Sequence, residues 1–362
     1  MPPRPRRLKA STALGPAALV LALLLAACGP PGLDAGPGAP QTFREDLVIP
    51  AGDLQLAATL HLPAAEPPFP AVALIGGSGP LSRQGPVNGQ LGLTFPSAIP
   101  VYEQLAVGLA ARGYAVLVWD KRTCGPFNGC GDNDYPEPPE DLTVDLFRED
   151  AAAALDVLAD LEEITDVVVL GHSQGGTFAA QLATEHPAVD AAVLLSTPEP
   201  TIDRVLETQA DKLAELGAAA GQPGTSVDEP VADLRQIAAE VTAIGDGAVT
   251  GDAVGGASRL FWASWMAAGR DASDSISDAE VPVLALSGDA DWNVAPALVE
   301  SWGERLPSEG EVEIMPALTH ALTRLDEQDL TRMEPEDIGL VVDDRVPERV
   351  ASWLDEVLGP GG

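Results

Sequence analysis

The sequence is poor in cysteine, histidine and positive charge. It has three Cys and four His in 362 residues, and 20 Lys and Arg against 55 Asp and Glu give a net charge of −35 at pH 7. A surface this acidic repels the phosphates of nucleic acids and of anionic lipids, which excludes a nucleic-acid-binding protein. With only four His, few imidazoles are available as a catalytic base.

Long apolar runs and nucleotide-binding motifs are also missing. The N-terminal apolar run, Ala17–Ala27, has eleven residues and is too short to span a bilayer as a helix. No G-x-x-x-x-G-K-[ST] sequence occurs. The glycine-rich stretch GGSGP at 76–80 does not have the spacing G-x-G-x-x-G, and Pro80 interrupts any helix that would follow at once. Nothing here favours a dinucleotide-binding protein or a P-loop nucleotidase.

The N-terminus predicts export. Arg4, Arg6, Arg7 and Lys9 precede the apolar run, as in a secretory signal peptide. The run ends in LAAC (25–28), which resembles the bacterial lipoprotein box, and this resemblance implies that Cys28 is lipidated. The alternative is an ordinary signal in which Cys28 is incidental. We therefore expect a signal peptide over 1–27 and a Pro/Gly-rich tether over 28–41. The protein would be held by its lipid at a membrane of the bacterial cell envelope.

The other two cysteines lie close together in the sequence CGPFNGC. In an exported protein, such a pair in a Gly/Pro/Asn loop favours a disulfide between Cys124 and Cys130 over two free thiols. Neither has the neighbouring His or Cys residues that a zinc site requires, and no metal is expected.

The hydrophobic pattern predicts a mostly parallel α/β sheet. Alternating residues over 43–49 and 54–62 predict an N-terminal antiparallel hairpin. Short apolar runs, typical of strands buried on both faces, then alternate with helical patterns. The strands are expected at 71–75, 114–119, 166–170, 189–196, 281–287 and 311–315, and the helices at 99–112, 143–161, 174–186, 295–306 and 346–358.

A long insertion interrupts this alternation. Residues 197–280 have apolar residues at helical spacing and predict a helical cap, which divides the α/β core into 42–196 and 281–362. The cap would lie above the carboxyl ends of the strands, where ligands bind in such sheets. Its aromatic residues Phe261, Trp262 and Trp265 are either cap core or the apolar wall of a substrate pocket.

The sequence DVVVLGHSQGGTFAA (166–180) contains G-x-S-x-G between a predicted strand and a predicted helix. This is the context of a nucleophile elbow, in which glycines on both sides of the serine permit a tight turn. The turn would expose Ser173 beside the positive end of a helix. We therefore expect Ser173 to be a nucleophile.

A serine nucleophile needs a base, and only four histidines are available. His172 adjoins the nucleophile and is expected to point away from it, His61 lies in the hairpin, and His186 ends a helix. His320, just after the strand at 311–315, remains. The chain order Ser, acid, His places the acid in ALSGDADWNVAP (285–296), where both Asp289 and Asp291 are candidates. Glu199 and Asp203 are more remote candidates.

From about residue 43 to 358 the chain resembles enzymes of the α/β-hydrolase fold. It is most similar to bacterial esterases with an HGSGP turn after strand three and a YDKRG-like sequence after strand four. The corresponding sequences here are GGSGP (76–80), where Gly76 replaces the histidine, and WDKRTCG (119–125). The family's acid loop, G-x-x-D-x-x-V, matches Gly288, Asp291 and Val294.

The resemblance implies a role for each of these residues. Asp291 would be the triad acid, and the amides of Ser78 and Gln174 would form the oxyanion hole. Lys121 and Arg122 are interpreted as salt-bridge partners beneath the site. No metal or organic cofactor is implied.

The expected function is hydrolysis of a small-molecule carboxylic ester. A peptidase or thioesterase of the same fold is the alternative, because one triad serves all three acyl transfers. A non-catalytic surface-binding module is a third reading, against which the full set of triad residues argues. The sequence does not indicate an oligomeric state.

Overall fold

The structure, a computed structural model, describes residues 42–85, 99–125, 130, 141–199, 201–220, 227–325 and 338–359. The predicted signal peptide, Cys28 and the tether all lie outside the described residues. No helix in the described part of the chain is both long and apolar enough to cross a membrane.

Within the described residues, eight strands form the central sheet. They are β1 (Phe43–Ala51), β2 (Leu54–Leu62), β3 (Phe69–Ile75), β4 (Ala115–Trp119), β5 (Ile164–His172), β6 (Ala191–Leu195), β7 (Val283–Gly288) and β8 (Glu311–Met315). Their order is β1-β2-β4-β3-β5-β6-β7-β8. β1 pairs antiparallel with β2, and β2 with β4, whereas every pairing from β4 to β8 is parallel. The predicted hairpin and parallel sheet are both confirmed.

Helices cover both faces of the sheet. The core helices are α1 (Val101–Ala110), α2 (Asp145–Ala159), α3 (Gln174–Glu185), α7 (Pro296–Glu300) and α8 (Arg345–Leu358). Alternate residues of β3 belong to two hydrophobic layers: Ala71 and Ala73 pack with α2 and α3, while Val72 and Leu74 pack with α1 and α8. The apolar runs in the sequence are therefore strands that are buried on both faces.

Three cap helices lie in the described part of the interval between β6 and β7. They are α4 (Ile202–Ala220), α5 (Asp228–Gly245) and α6 (Arg259–Ser275). α6 begins with Ser258, whose hydroxyl accepts a hydrogen bond from the Phe261 amide at 3.1 Å and caps the helix. The helical spacing in the sequence is thus confirmed, and the cap joins the core at the edge that carries the site.

Two details differ from the expected pattern. The helix predicted over 295–306 is α-helical only in α7 and continues as a 3₁₀ turn over Ser301–Glu304, where Ser301 and Gly303 are weak helix formers. A small antiparallel sheet of β9 (Thr323–Leu325) and β10 (Ile338–Val342) follows the loop that carries His320, and its short strands were not expected.

The predicted disulfide joins Cys124 to Cys130, with their Cα atoms 5.8 Å apart. The bridge lies in the loop after β4, three residues beyond Lys121. It closes a short loop, and we expect it to stabilise the fold by roughly 2–3 kcal/mol in the chain-entropy description.

Candidate active site

Ser173 lies in a sharp turn between β5 and α3. Its backbone has φ 55° and ψ −123°, a conformation that a residue with a side chain adopts only under constraint. A Cβ atom at Gly171 would lie 2.2 Å from the Gly175 carbonyl oxygen, and one at Gly175 would lie 2.3 Å from the Ile75 carbonyl oxygen. Only glycine fits at either position, so the predicted elbow geometry is present.

The loops after β7 and β8 bring an aspartate to a histidine. The His320 Nδ1 atom lies 2.9 Å from Asp291 Oδ2, and both side chains are buried. The other carboxylate oxygen of Asp291 accepts a hydrogen bond from the Val294 amide at 2.8 Å. Because a carboxylate can only accept, His320 carries its proton on Nδ1, which leaves Nε2 free to act as a base.

Asp289 faces a different group. Its Oδ1 atom accepts a hydrogen bond from the Ala317 amide at 2.6 Å, as expected for a carboxylate that caps local backbone. The amides of Asp289 and Ala290 donate to the carbonyls of Met315 and Leu318, at 3.0 and 3.1 Å. These bonds hold the acid loop against the histidine loop. Of the two candidate acids, the structure pairs Asp291 with His320.

Ser173 and His320 line one cavity of about 320 Å³. Gly77, Ser78 and Gln174 line it from the core. The cap and the loop after β7 supply mainly apolar residues: Pro198, Ile202, Val205, Leu213, Leu234, Trp265, Trp292 and Val294. The described residues of the wall include no Asp, Glu, Lys or Arg.

The three cap aromatics fall in different places. Trp265 lines the cavity, and its ring stacks on Trp262 with 5.7 Å between centroids. Trp262 belongs to the hydrophobic core of the cap, and its indole nitrogen donates to the Val254 carbonyl at 2.9 Å. Phe261 packs against the main core and touches both tryptophans edge-on. The described wall therefore contains Trp265 but not Phe261 or Trp262.

The glycine-rich turn after β3 is held by a tyrosine of α1. The Gly77 amide donates to the Tyr102 hydroxyl at 2.7 Å, so this amide is not available to a substrate. The Ser78 amide has no acceptor among the described residues. The Gln174 amide is in the first turn of α3, where backbone amides lack an intrahelical partner. Ser78 and Gln174 both line the cavity, and their role as the oxyanion hole stays a prediction.

Tyr102 and His172 connect this turn to the catalytic loops. The His172 Nε2 atom is 2.8 Å from the His320 carbonyl oxygen, and its Nδ1 atom is 3.3 Å from the Tyr102 hydroxyl. A carbonyl can only accept, so Nε2 donates and Nδ1 accepts from Tyr102. Burial, with a contribution from His320, lowers the pKa of His172 to about 3. His172 is therefore neutral and acts as a structural link.

The two basic residues after β4 behave differently. Arg122 donates two hydrogen bonds to Asp150, at 2.8 and 2.5 Å, and forms the expected salt bridge. For Lys121 the salt-bridge interpretation is wrong within the described residues. Its ammonium donates to the Gly77 carbonyl at 2.7 Å and to Gln174 Oε1 at 2.9 Å. Both of these acceptors are uncharged groups.

Sequence reasoning did not find the roles of Tyr102 and Lys121. Tyr102 is on the buried face of α1, where a tyrosine reads as an ordinary core residue. Its partners lie 25 and 70 residues away in the chain, so no local pattern signals them. The described residues contain no group of three His, Cys, Asp or Glu side chains placed to hold a metal ion.

Similarity to known proteins agrees with this geometry. Residues 97–328, more than half of the chain, match the family described as serine aminopeptidase, S33. Esterase EstD of Thermotoga maritima is 26% identical over 320 residues, which cover 87% of this chain and 68% of that protein.

Two solved structures share the fold. They are proline iminopeptidase from Mycobacterium smegmatis (TM-score 0.53, 17% identity, covering 86% of this chain and 98% of that chain) and Est1E from Butyrivibrio proteoclasticus with ferulic acid bound (TM-score 0.52, 20% identity, 86% and 99%). At these identities the likeness concerns the fold alone. The chain belongs to the S33 serine aminopeptidase family and is an α/β-hydrolase-fold enzyme of the carboxylesterase-like kind.

Proposed function

We propose that this protein hydrolyses neutral carboxylic esters, with Ser173, His320 and Asp291 as the catalytic triad. The observation that carries the proposal is the His320–Asp291 hydrogen bond beside a cavity that Ser173 also lines. The esterase from Thermotoga maritima supports the choice of ester as the scissile bond. No metal or cofactor enters the proposed reaction.

The proposed reaction has two halves. The Ser173 hydroxyl attacks the carbonyl carbon while His320 Nε2 takes its proton, and the carbonyl oxygen becomes an anion bound by the Ser78 and Gln174 amides. The intermediate then collapses, and the leaving alkoxide receives the proton from His320. Water then attacks the acyl-enzyme while His320 takes its proton; the acyl–oxygen bond to Ser173 breaks, His320 returns the proton to the Ser173 oxygen, and the acid is released. Asp291 keeps the proton of neutral His320 on Nδ1 and stabilises the charged ring.

A peptidase is the second candidate, favoured by the description of the family. An aminopeptidase must bind the free ammonium group of its substrate, usually through a carboxylate. The described wall of the cavity contains no Asp or Glu side chain, and its cap side is mainly apolar. A neutral ester therefore fits this wall better than a peptide with a charged N-terminus.

A labelling and turnover experiment tests the function. We expect a fluorophosphonate to label the wild-type protein and not Ser173→Ala, and nitrophenyl esters of graded chain length to be hydrolysed faster than aminoacyl anilides. Labelling that persists in Ser173→Ala would exclude Ser173 as the nucleophile. Faster cleavage of the anilides than of every ester would favour the peptidase.

We also propose that the protein is exported and held at a membrane by a lipid on Cys28. The support is the N-terminal sequence, with its short apolar run, the residues LAAC and the Pro/Gly-rich tether. Cys28→Ser is expected to move the protein from the membrane fraction to the soluble fraction, because a lipid anchor is lost while the hydrolase domain is unchanged. Fractionation with an ester assay measures this. A wild-type protein that is already soluble after export would rule out the anchor.

A further inference from the structure

Lys121 is a buried cation directly beneath the proposed oxyanion hole. It follows β4, and only 8% of its surface is exposed. Its ammonium donates to the Gly77 carbonyl at 2.7 Å and to Gln174 Oε1 at 2.9 Å, and it lies 4.2 Å from the centroid of the Phe147 ring. Two hydrogen bonds and an aromatic face are what a protonated amine requires. A neutral amine would have to place its lone pair among these same groups.

The contact with Gly77 acts on the donor at Ser78, because the Gly77 carbonyl and the Ser78 amide belong to one peptide unit. In a trans peptide the C=O and N–H bonds point in opposite directions. An ammonium that holds the carbonyl on one side therefore directs the N–H to the other side, where Gly77 and Ser78 line the cavity. The same contact draws electron density toward the oxygen and strengthens the N–H as a donor.

The contact with Gln174 reaches the second donor. The Gln174 side chain is buried and its oxygen accepts from Lys121, while Gln174 itself lines the cavity as the first residue of α3. One positive charge thus stands behind both amides. Lys121 is not among the described residues that line the cavity.

We propose that Lys121 is a positioning residue that orients and polarises the Ser78 amide through the Gly77 carbonyl and fixes Gln174 through its side chain. The inference rests on the proposed function, because it assigns a task to a group that acts only through the oxyanion donors. Through Lys121, the electrostatic attraction of a positive charge supplements an oxyanion hole that otherwise consists of neutral amides.

Lys121 is expected to lose its charge as the pH rises above neutral. Burial lowers its pKa to about 7, and Asp150 of α2 opposes this shift. Its other titratable neighbours in the described residues are Tyr102 of α1 and His172, both neutral there, and the pairs Arg122–Asp150 and Arg83–Asp120. As pH rises through about 7 the ammonium loses its proton, so support for the oxyanion should weaken toward alkaline pH.

The test compares Lys121→Met with the wild type on a nitrophenyl ester. Removing one direct oxyanion donor costs about 10²–10³ in kcat, so an indirect support should cost about 10–100-fold, with little change in KM. The inhibition constant of a boronic acid, whose tetrahedral adduct occupies the same hole, should rise by a similar factor. The alkaline decline of kcat/KM in the wild type should disappear in the variant.

Two further variants separate this role from a structural one. Arg122→Gln alters the neighbouring cation and is expected to lower Tm while leaving kcat as in the wild type; because Asp150 loses its partner, the alkaline decline should persist and move, if anything, to higher pH. If Lys121→Met does not fold, Lys121→Gln replaces it, because Gln can still donate to the Gly77 carbonyl without a charge; we expect it to lose the alkaline decline.

The outcomes are distinguishable. A folded Lys121 variant that keeps both the wild-type kcat and the alkaline decline, while Ser173→Ala is inactive, would overturn the inference and leave the proposed function intact. Equal losses of kcat in Lys121→Met and Arg122→Gln would also overturn it. If the wild type shows no turnover that depends on Ser173, the proposed function fails, and this inference with it.

Discussion

His320→Gln is expected to lower kcat for ester hydrolysis by about five to six decades, as the loss of the base does in a serine protease. An amide cannot take the proton of Ser173 at neutral pH, so the hydroxyl remains a poor nucleophile. Glutamine is chosen because its NH₂ group can still donate to Asp291, which is buried and would otherwise lose its partner. The measurement is kcat with a nitrophenyl ester.

His186→Gln is the matched control. His186 ends α3, and its ring faces Asp156, a largely exposed carboxylate. We expect this variant to retain kcat within about twofold, since surface pairs of this kind contribute little. The kcat of a correctly folded His320→Gln variant could instead fall by less than about two decades. Another group would then have to be the base, because loss of the base in such triads lowers kcat far more.

Asp291→Asn is expected to lower kcat by about two to four decades while the protein stays folded. The amide oxygen of Asn can still accept from the Val294 amide, which preserves the loop. Its NH₂ group would then face His320 Nδ1 and donate to it. This favours the opposite tautomer, in which Nε2 carries the proton and cannot accept the proton of Ser173.

Asp289→Asn provides the comparison within the same loop. The bond from the Ala317 amide to Asp289 can be made equally well by an amide oxygen. We therefore expect a loss of less than about tenfold, a size typical of changes outside the reacting groups. Steady-state kinetics with melting curves for both variants measure the difference. The opposite ranking in folded proteins would assign the acid to Asp289.

The sequence predicted the elements that depend on local pattern. The parallel strands β3 to β7 appear as apolar runs because they are largely buried on both faces, whereas the edge strand β8 is mostly half-buried or exposed. Ser173 is marked by glycines that the tight turn demands. The choice of Asp291 over Asp289 came from a resemblance to a known loop, since both residues follow the same strand. The structure adds the bond to His320 that distinguishes them.

The contacts that support the site could not be predicted in this way. Lys121 meets Gly77 across 44 residues and Gln174 across 53 residues of the chain. The sequence predicted a salt-bridge partner beneath the site, and only the packing of β4 beside β3 brings Lys121 to the Gly77 carbonyl instead. The contribution of the cap to the cavity wall could not be predicted either. Trp265 and Trp262 are three residues apart, but of these two only Trp265 lines the cavity.

The glycines of the elbow also restrict how this protein can change over evolutionary time. Gly171 and Gly175 contact backbone atoms rather than side chains, so no second substitution nearby can make room for a Cβ atom. A library that randomises the elbow should therefore return glycine at both positions among active clones. Variation in the helices of the cap avoids this obstacle, because α4, α5 and α6 contribute side chains to the cavity wall. New substrate preferences are thus expected to arise by substitution in the cap, with the elbow unchanged.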